Sequence, residues 1–193
     1  MNVINFESAL KILKSGLPVI FQTDTLPAIG CLPECADIIY QFKKRDRNKP
    51  LILMGSENEQ LIEYVQESAK EDYENIASKY WPGALTMVIP CSKKETAILT
   101  SSNFTLGLRI PNSYMAQSLM RVTGPLLTSS ANISGSTGST TAEGIALDFP
   151  SVGVLGPVPW EKCSGKASTI ISWKKSGDWE LIRSGEVLLE EFY

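Results

Sequence analysis

Apolar positions recur along this chain in two rhythms, and their alternation predicts an α/β protein. Phe6, Leu10 and Leu13 share one face of a helix over 6–15, which Gly16 stops. Ile38, Ile39 and Phe42 do the same in a helix over 36–44. Short apolar runs bounded by turn residues read as strands over 17–21, 51–54, 84–89, 106–110, 126–129, 152–155, 168–172 and 179–183. Ser56 with Glu59, and Thr140 with Glu143, have capping-box spacing; each pair opens a further helix, the second running to about Phe149. A helix over 73–80 ends before Pro82, and Ser113 caps another that runs to about Val122 and closes at Gly124-Pro125. Residues 135–140 form a Gly/Ser/Thr-rich loop. No linker or internal repeat divides the chain, so a single domain over 1–193 is expected.

Composition narrows the chemistry more than the fold. The net charge is -3 with no basic tract, which argues against a protein whose main task is gripping a nucleic-acid backbone. A local basic cavity is still compatible with that total. The first residues lack a signal-peptide pattern, and no apolar stretch approaches the ~20 residues that span a bilayer, so a soluble cytoplasmic protein without membrane attachment is expected. Cys31, Cys35, Cys91 and Cys163 show no disulfide or zinc spacing and read as buried thiols. There is no histidine, which excludes Ser-His-Asp and Cys-His nucleophilic catalysis and histidine metal sites. No GxxxxGK[ST] loop exists either. Chemistry here must run on charge clamping and positioning.

Several polar groups could supply it. Lys43, Arg45 and Lys49 lie in one short stretch, KKRDRNKP, after a helix. On spacing alone these are cations complementing a helix C-terminus; an irregular turn after Lys44 would let them converge on an anion. Thr23, Asp24 and Thr25 follow the first long apolar run and suit either a small polar substrate or a self-satisfied turn. Thr128, Ser129, Ser130, Asn132 and Ser134 end another run in TSSANISG, where hydroxyls, an amide and backbone N–H groups can meet an anion or one another. Arg109 sits among apolar neighbours and must be ion-paired or ligand-facing. Ser168, Thr169 and Arg183 complete the set.

These segments resemble, in order, those of the YrdC/Sua5 family. QTDTLPAIGC (22–31) is similar to its PTDTVYGLGC-type segment, and KKRDRNKPL (43–51) to its KxR…KPL segment. YWPGALTMVIP (80–90), LGLRIP (106–111), LLTSSANISG (126–135) and ASTII (167–171) follow. The resemblance implies an α/β (α+β) fold, a twisted mixed β-sheet flanked by helices with a concave, positively charged cavity. It implies a short, single-domain member ending at Tyr193 without the C-terminal domain of longer relatives. The implied activity is a nucleotidyltransferase, threonylcarbamoyl-AMP synthase, joining L-threonine, bicarbonate and ATP. Its product serves the N6-threonylcarbamoyl modification of adenosine 37 in tRNA, through downstream transfer proteins.

The resemblance further makes Lys43 and Arg45 catalytic, with Lys49 beside them. Thr23 and Thr25 would bind threonine or the carbamoyl group. Thr128 would belong to the same clamp, Ser130, Asn132 and Arg183 would contact ATP phosphates, Ser168 would lie near the nucleotide, and Arg109 would face ligand. Mg²⁺ is expected to enter on ATP, since no carboxylate cage is visible. Gln22, Pro27 and Ala28 depart from the family's proline, tyrosine and glycine, which leaves Trp81 or Tyr80 to supply an aromatic wall. The competing reading is an RNA-binding module, for tRNA or double-stranded RNA or in ribosome maturation, using the same basic cavity.

Overall fold

Ten strands join in one mixed sheet in the computed structural model, which describes residues 2–91, 104–133 and 138–188. The strands are β1 (Val3–Ile4), β2 (Val19–Phe21), β3 (Ala28–Cys31), β4 (Ile52–Met54), β5 (Leu85–Pro90), β6 (Thr105–Arg109), β7 (Leu126–Ser130), β8 (Gly153–Leu155), β9 (Thr169–Lys175) and β10 (Asp178–Arg183). Their spatial order is β1-β8-β2-β3-β7-β4-β6-β5-β9-β10. The helices are α1 (Phe6–Lys14), α2 (Asp37–Lys43), α3 (Asn58–Ile62), α4 (Lys70–Tyr80), α5 (Tyr114–Thr123) and α6 (Ala142–Asp148).

Strand alternation sorts the interior into two cores. Val19 and Phe21 of β2, Ala28 of β3 and Met54 of β4 face a core closed by Ala9 and Leu13 of α1 and by Ala116, Leu119 and Met120 of α5. Their neighbours Ile20, Ile29 and Leu53 face the opposite core, with Ile39, Leu61, Tyr73 and Ile145 from α2, α3, α4 and α6. Burial on both faces explains why the central strands read as continuous apolar runs. Among the described residues, no helix is long and apolar enough to cross a membrane.

The structure corrects the expected elements in five places. β1 and β3 were not foreseen. α3 starts at Asn58 with no side-chain cap, because the Ser56 amide donates to Gln60 Oε1 at 2.9 Å instead of beginning a capping box. Thr141, one residue beyond Thr140, caps α6 by accepting from the Gly144 amide. α4 starts at Lys70, directly after a 3₁₀ turn over Glu67–Ala69. Part of the 135–140 loop lies outside the described residues.

Register then gathers the polar strand ends. β3 pairs antiparallel with β7, setting Ala28 opposite Ser130 and Gly30 opposite Thr128. β4 lies between β7 and β6, setting Ile52 opposite Thr128 and Met54 opposite Arg109. β5 and β9 run parallel with Leu85 opposite Thr169, which brings Ser168 to the same side of the molecule.

Candidate active site

A cavity of about 120 Å³ opens where these ends meet. Arg45, Arg109 and Arg183 line it, and among the described residues no carboxylate does. Thr25, Thr128, Ser129, Ser130 and Ser168 supply its hydroxyls, and Leu26, Ile52 and Met54 part of its apolar surface. A neighbouring cavity of about 260 Å³ shares Leu26 and Ser130 with it and reaches Asn132.

Arg109 is the fixed point. It is buried on β6 and donates three ways: to Gly83 O at 3.0 Å, to Thr25 Oγ1 at 2.8 Å and to Asp24 Oδ1 at 2.7 Å. Thr23 gives its one hydroxyl proton to Leu26 O at 2.7 Å, so in the 3.2 Å contact between the two hydroxyls Thr25 must donate to Thr23. Protons therefore run in one direction, from Arg109 to Thr25 to Thr23 to the Leu26 carbonyl. Thr25 meets the cavity with acceptor capacity, while Arg109 retains N–H bonds beyond those it gives to the protein.

Arg45 and Arg183 stand nearer solvent. The left-handed Lys44 (φ 49) ends α2 and turns the chain, and the carbonyls of Lys49 and Pro50 accept from Arg45 at 3.0 Å each. Arg183 on β10 donates to Ser168 O at 2.8 and 3.1 Å and to Ser168 Oγ at 3.2 Å, while Thr86 holds that same hydroxyl at 2.9 Å. Burial lowers the pKa of all three arginines, first among the causes at each. Arg45 lowers Arg183 further, and Arg183 lowers Arg109. The three guanidiniums stay charged, and the repulsion of Arg183 with Arg45 and with Arg109 makes the cavity favourable for an anion.

Lys43 behaves differently. It is buried, and its Nζ donates to Ser129 Oγ at 2.9 Å, to the Ser130 carbonyl, and to Asn132 Oδ1 at 3.5 Å. Burial and, less strongly, Arg45 pull its pKa down to about 7. Three acceptors nonetheless match the three N–H bonds of the ammonium form.

Eight expected residues thus meet on the first cavity: Thr25, Arg45, Arg109, Thr128, Ser129, Ser130, Ser168 and Arg183. Asn132 lines the second. Thr23 stands behind Thr25, and Lys43 behind Ser129 and Ser130. Lys49 contributes its carbonyl, while the residue is exposed and lines neither cavity. Ser134 lies outside the described residues. Neither ring expected to form an aromatic wall, Trp81 or Tyr80, lines either cavity, and Trp81 instead packs edge-on against Tyr73 and donates to Leu85 O at 2.7 Å. Sequence reasoning missed Thr86, whose only signal was a hydroxyl in an otherwise apolar strand, and the anchoring role of Ser129.

Over residues 11–185 the chain matches the family described as telomere recombination, Sua5/YciO/YrdC. The chain belongs to this family. Among its relatives, the threonylcarbamoyl-AMP synthase of Pyrococcus abyssi is 34% identical over 141 residues, covering 71% of this chain and 41% of that protein. The Buchnera aphidicola protein of the same name is 30% identical over 179 residues, covering 89% of this chain and 96% of the relative. The chain therefore spans less than half of the first relative and nearly all of the second. The crystal structure of P. abyssi Sua5 complexed with L-threonine superposes with a TM-score of 0.89 at 29% identity, covering 99% of this chain and 59% of that one. The mixed sheet with helices on both faces is thus the family's fold.

Proposed function

We propose that this protein is an L-threonylcarbamoyl-AMP synthase, a nucleotidyltransferase that makes threonylcarbamoyl-AMP and pyrophosphate from L-threonine, bicarbonate or CO₂, and ATP. The observation that carries the reading is the convergence of three arginines and five hydroxyl side chains on one small cavity that no carboxylate lines among the described residues. The similarity to the Buchnera aphidicola synthase along nearly its whole length supports it, as does the L-threonine complex of the P. abyssi relative.

The reaction has two steps. The neutral threonine amine attacks the carbon of CO₂, one C=O π pair moves onto oxygen, and the nitrogen releases a proton to water, leaving an N-carboxylate. An oxygen of that carboxylate then attacks the α-phosphorus of ATP, the bond to the β-phosphate oxygen breaks, and pyrophosphate leaves. Depth sorts the groups between these steps. Arg109, innermost and already oriented by Asp24, Gly83 and Thr25, suits the carboxylates of the carbamoylated amino acid. Thr25 and Thr128 spend their hydroxyl protons on the protein, so they accept from the substrate's hydroxyl and N–H. Arg45 and Arg183, nearer solvent, suit the phosphates, where the charge grows as pyrophosphate departs.

Mg²⁺ belongs to this proposal as a companion of ATP. Among the described residues, no group of three or more acidic, cysteine or histidine side chains could hold a metal. The lining donor set is guanidinium and hydroxyl, so the ion would have to take its oxygen ligands from the ATP phosphates and water, where it would supply further charge neutralisation. Delivery of the product to tRNA by separate transfer proteins completes the proposal.

Pyrophosphate release by purified protein tests the reading. It should require L-threonine and bicarbonate together with ATP, and serine should replace threonine poorly. A protein that binds ATP yet releases no pyrophosphate under these conditions refutes it.

A further inference from the structure

Thr86 is a hydroxyl in an otherwise apolar strand, and it lines neither cavity. It is 0% exposed, on β5 between β6 and β9. Its methyl group packs on β6: a Cβ added at Gly107 would stand 3.6 Å from Thr86 Cγ2, so the bare backbone of that glycine leaves room for the branch. Its hydroxyl oxygen lies 2.9 Å from Ser168 Oγ, at the start of β9. A β-branched side chain has little freedom at χ1, so packing the methyl also aims the hydroxyl.

Two hydroxyls at this distance share one hydrogen bond, and their other neighbours decide which of them donates. Thr86 Oγ1 has no other hydrogen-bond partner among the described residues, and solvent does not reach it. If Ser168 donated, the Thr86 proton would be buried without an acceptor and would carry its full desolvation penalty. Thr86 is therefore the donor. Ser168 Oγ also accepts from Arg183, at 3.2 Å. Both of its lone pairs are then engaged, while its own proton goes to no protein group among the described residues. Ser168 lines the first cavity, so the cavity receives that proton.

We propose that Thr86 is a positioning residue: by donating to Ser168 it makes the Ser168 hydroxyl an oriented donor toward an anionic oxygen of the substrate. Thr25 and Thr128 have the opposite polarity, because each gives its proton to the protein. A ligand that fits must therefore bring donors to Thr25 and Thr128 and an acceptor to Ser168. Arg183 stands beside Ser168, so that acceptor meets a hydroxyl and a guanidinium together, which favours an anionic oxygen. The proposal rests on the synthase reading for the identity of the substrate, and the polarity of the Thr86–Ser168 pair stands apart from it.

Two single variants separate the hydroxyl from the methyl. Thr86→Val keeps the branched shape and removes the proton, and it should lower threonine-dependent pyrophosphate release about tenfold, the effect of one lost hydrogen bond. Thr86→Ser keeps the proton and should stay within about threefold of wild type. Wild-type turnover in Thr86→Val overturns the proposal. So does a Thr86→Ser variant that falls as far as Thr86→Val, which would assign the loss to packing. Ser168→Ala should fall by about 10²-fold. Adding Thr86→Val to it should lower turnover no more than about threefold further, because the hydroxyl through which Thr86 acts is gone. Losses that multiply to about 10³-fold overturn the proposal.

Thermal unfolding tests the direction of the bond without turnover. Ser168→Ala leaves the Thr86 proton buried with no acceptor and should lower the thermal midpoint by about 4 °C. Adding Thr86→Val removes the orphaned hydroxyl and should recover most of that loss. A wild-type midpoint in Ser168→Ala, or a double variant that recovers nothing, overturns the proposal. Should Ser168→Ala fail to fold, the turnover of Thr86→Val against Thr86→Ser decides. A wild-type protein that binds ATP without releasing pyrophosphate would remove the synthase reading, and the unfolding series would still judge the Thr86–Ser168 pair.

Discussion

Replacing Asp24 by alanine removes the one carboxylate that holds the buried Arg109 guanidinium. The Arg109 side chain is 3% exposed and that of Asp24 17%, with 2.7 Å between their atoms. Breaking a buried pair by deleting one partner costs about 3–5 kcal/mol, because the other charge stays behind without compensation. Gly83 O and Thr25 Oγ1 continue to accept from Arg109, and water reaches the Asp24 side, so the lower end applies, about 3 kcal/mol. For a chain of this length each kcal/mol moves the thermal midpoint by about 2–4 °C, so a drop of about 6–12 °C is expected. Asp24→Asn keeps an oxygen for the guanidinium and loses only the charge, and should cost about half as much. Urea denaturation of the three proteins measures both values. A loss below about 1 kcal/mol for the alanine variant is the behaviour of a solvent-screened surface pair and would refute the burial argument.

Four further outcomes follow from the same geometry. Arg183→Ala, at an exposed position, should change stability by less than about 1 kcal/mol yet reduce turnover by about 10²-fold; equal turnover would remove Arg183 from the phosphate site. Lys43 should titrate near 7 by NMR, well below its ordinary 10.5. Between those two values the unfolded chain binds the extra proton, so stability should rise with pH there, and a flat difference between wild type and Lys43→Met would contradict it. Gly185→Ala would set a Cβ 2.4 Å from Ala167 O and 2.5 Å from Thr169 N, so it should displace the Ser168 segment and lower both the thermal midpoint and activity. Cys31, buried with its pKa raised to about 12, should resist iodoacetamide in the native protein while half-buried Cys35 and Cys163 label first; equal labelling would mean the core opens readily.

Long periodic segments were legible and short cooperative ones were not. α1, α2 and α5 announce themselves by spacing and stops, and the central strands by runs buried on both faces. β1 has two residues and exists only because β8 lies beside it. β3 reads AIGC, with little β-propensity of its own, and becomes a strand because β2 and β7 pair with it on both edges. The two misplaced caps have the same origin: Gln60 reaches back to the Ser56 amide, and of two adjacent threonines only Thr141 meets an unbonded helix N–H. No local spacing encodes either choice.

The site was legible as a set of residue types and illegible as a division of labour. Lys43, Arg45 and Lys49 are equivalent cations on paper. In the fold, the left-handed turn at Lys44 sends Arg45 into the cavity, the inward face of α2 sends Lys43 to the β7 turn, and Lys49 is left exposed. Which partner a buried arginine takes is likewise a matter of register, since Asp24 and Arg109 lie 85 residues apart in the chain.

The proposed synthase would turn threonine, bicarbonate and ATP into an adenylate in the arginine-lined cavity. The most direct test is pyrophosphate release by wild-type protein with each substrate omitted in turn, alongside mass detection of the adenylate. Release that needs all three, with a product carrying both the threonylcarbamoyl and AMP groups, is the expected result. Tight ATP binding with no release for any amino acid, or release unaffected by omitting threonine, would contradict it.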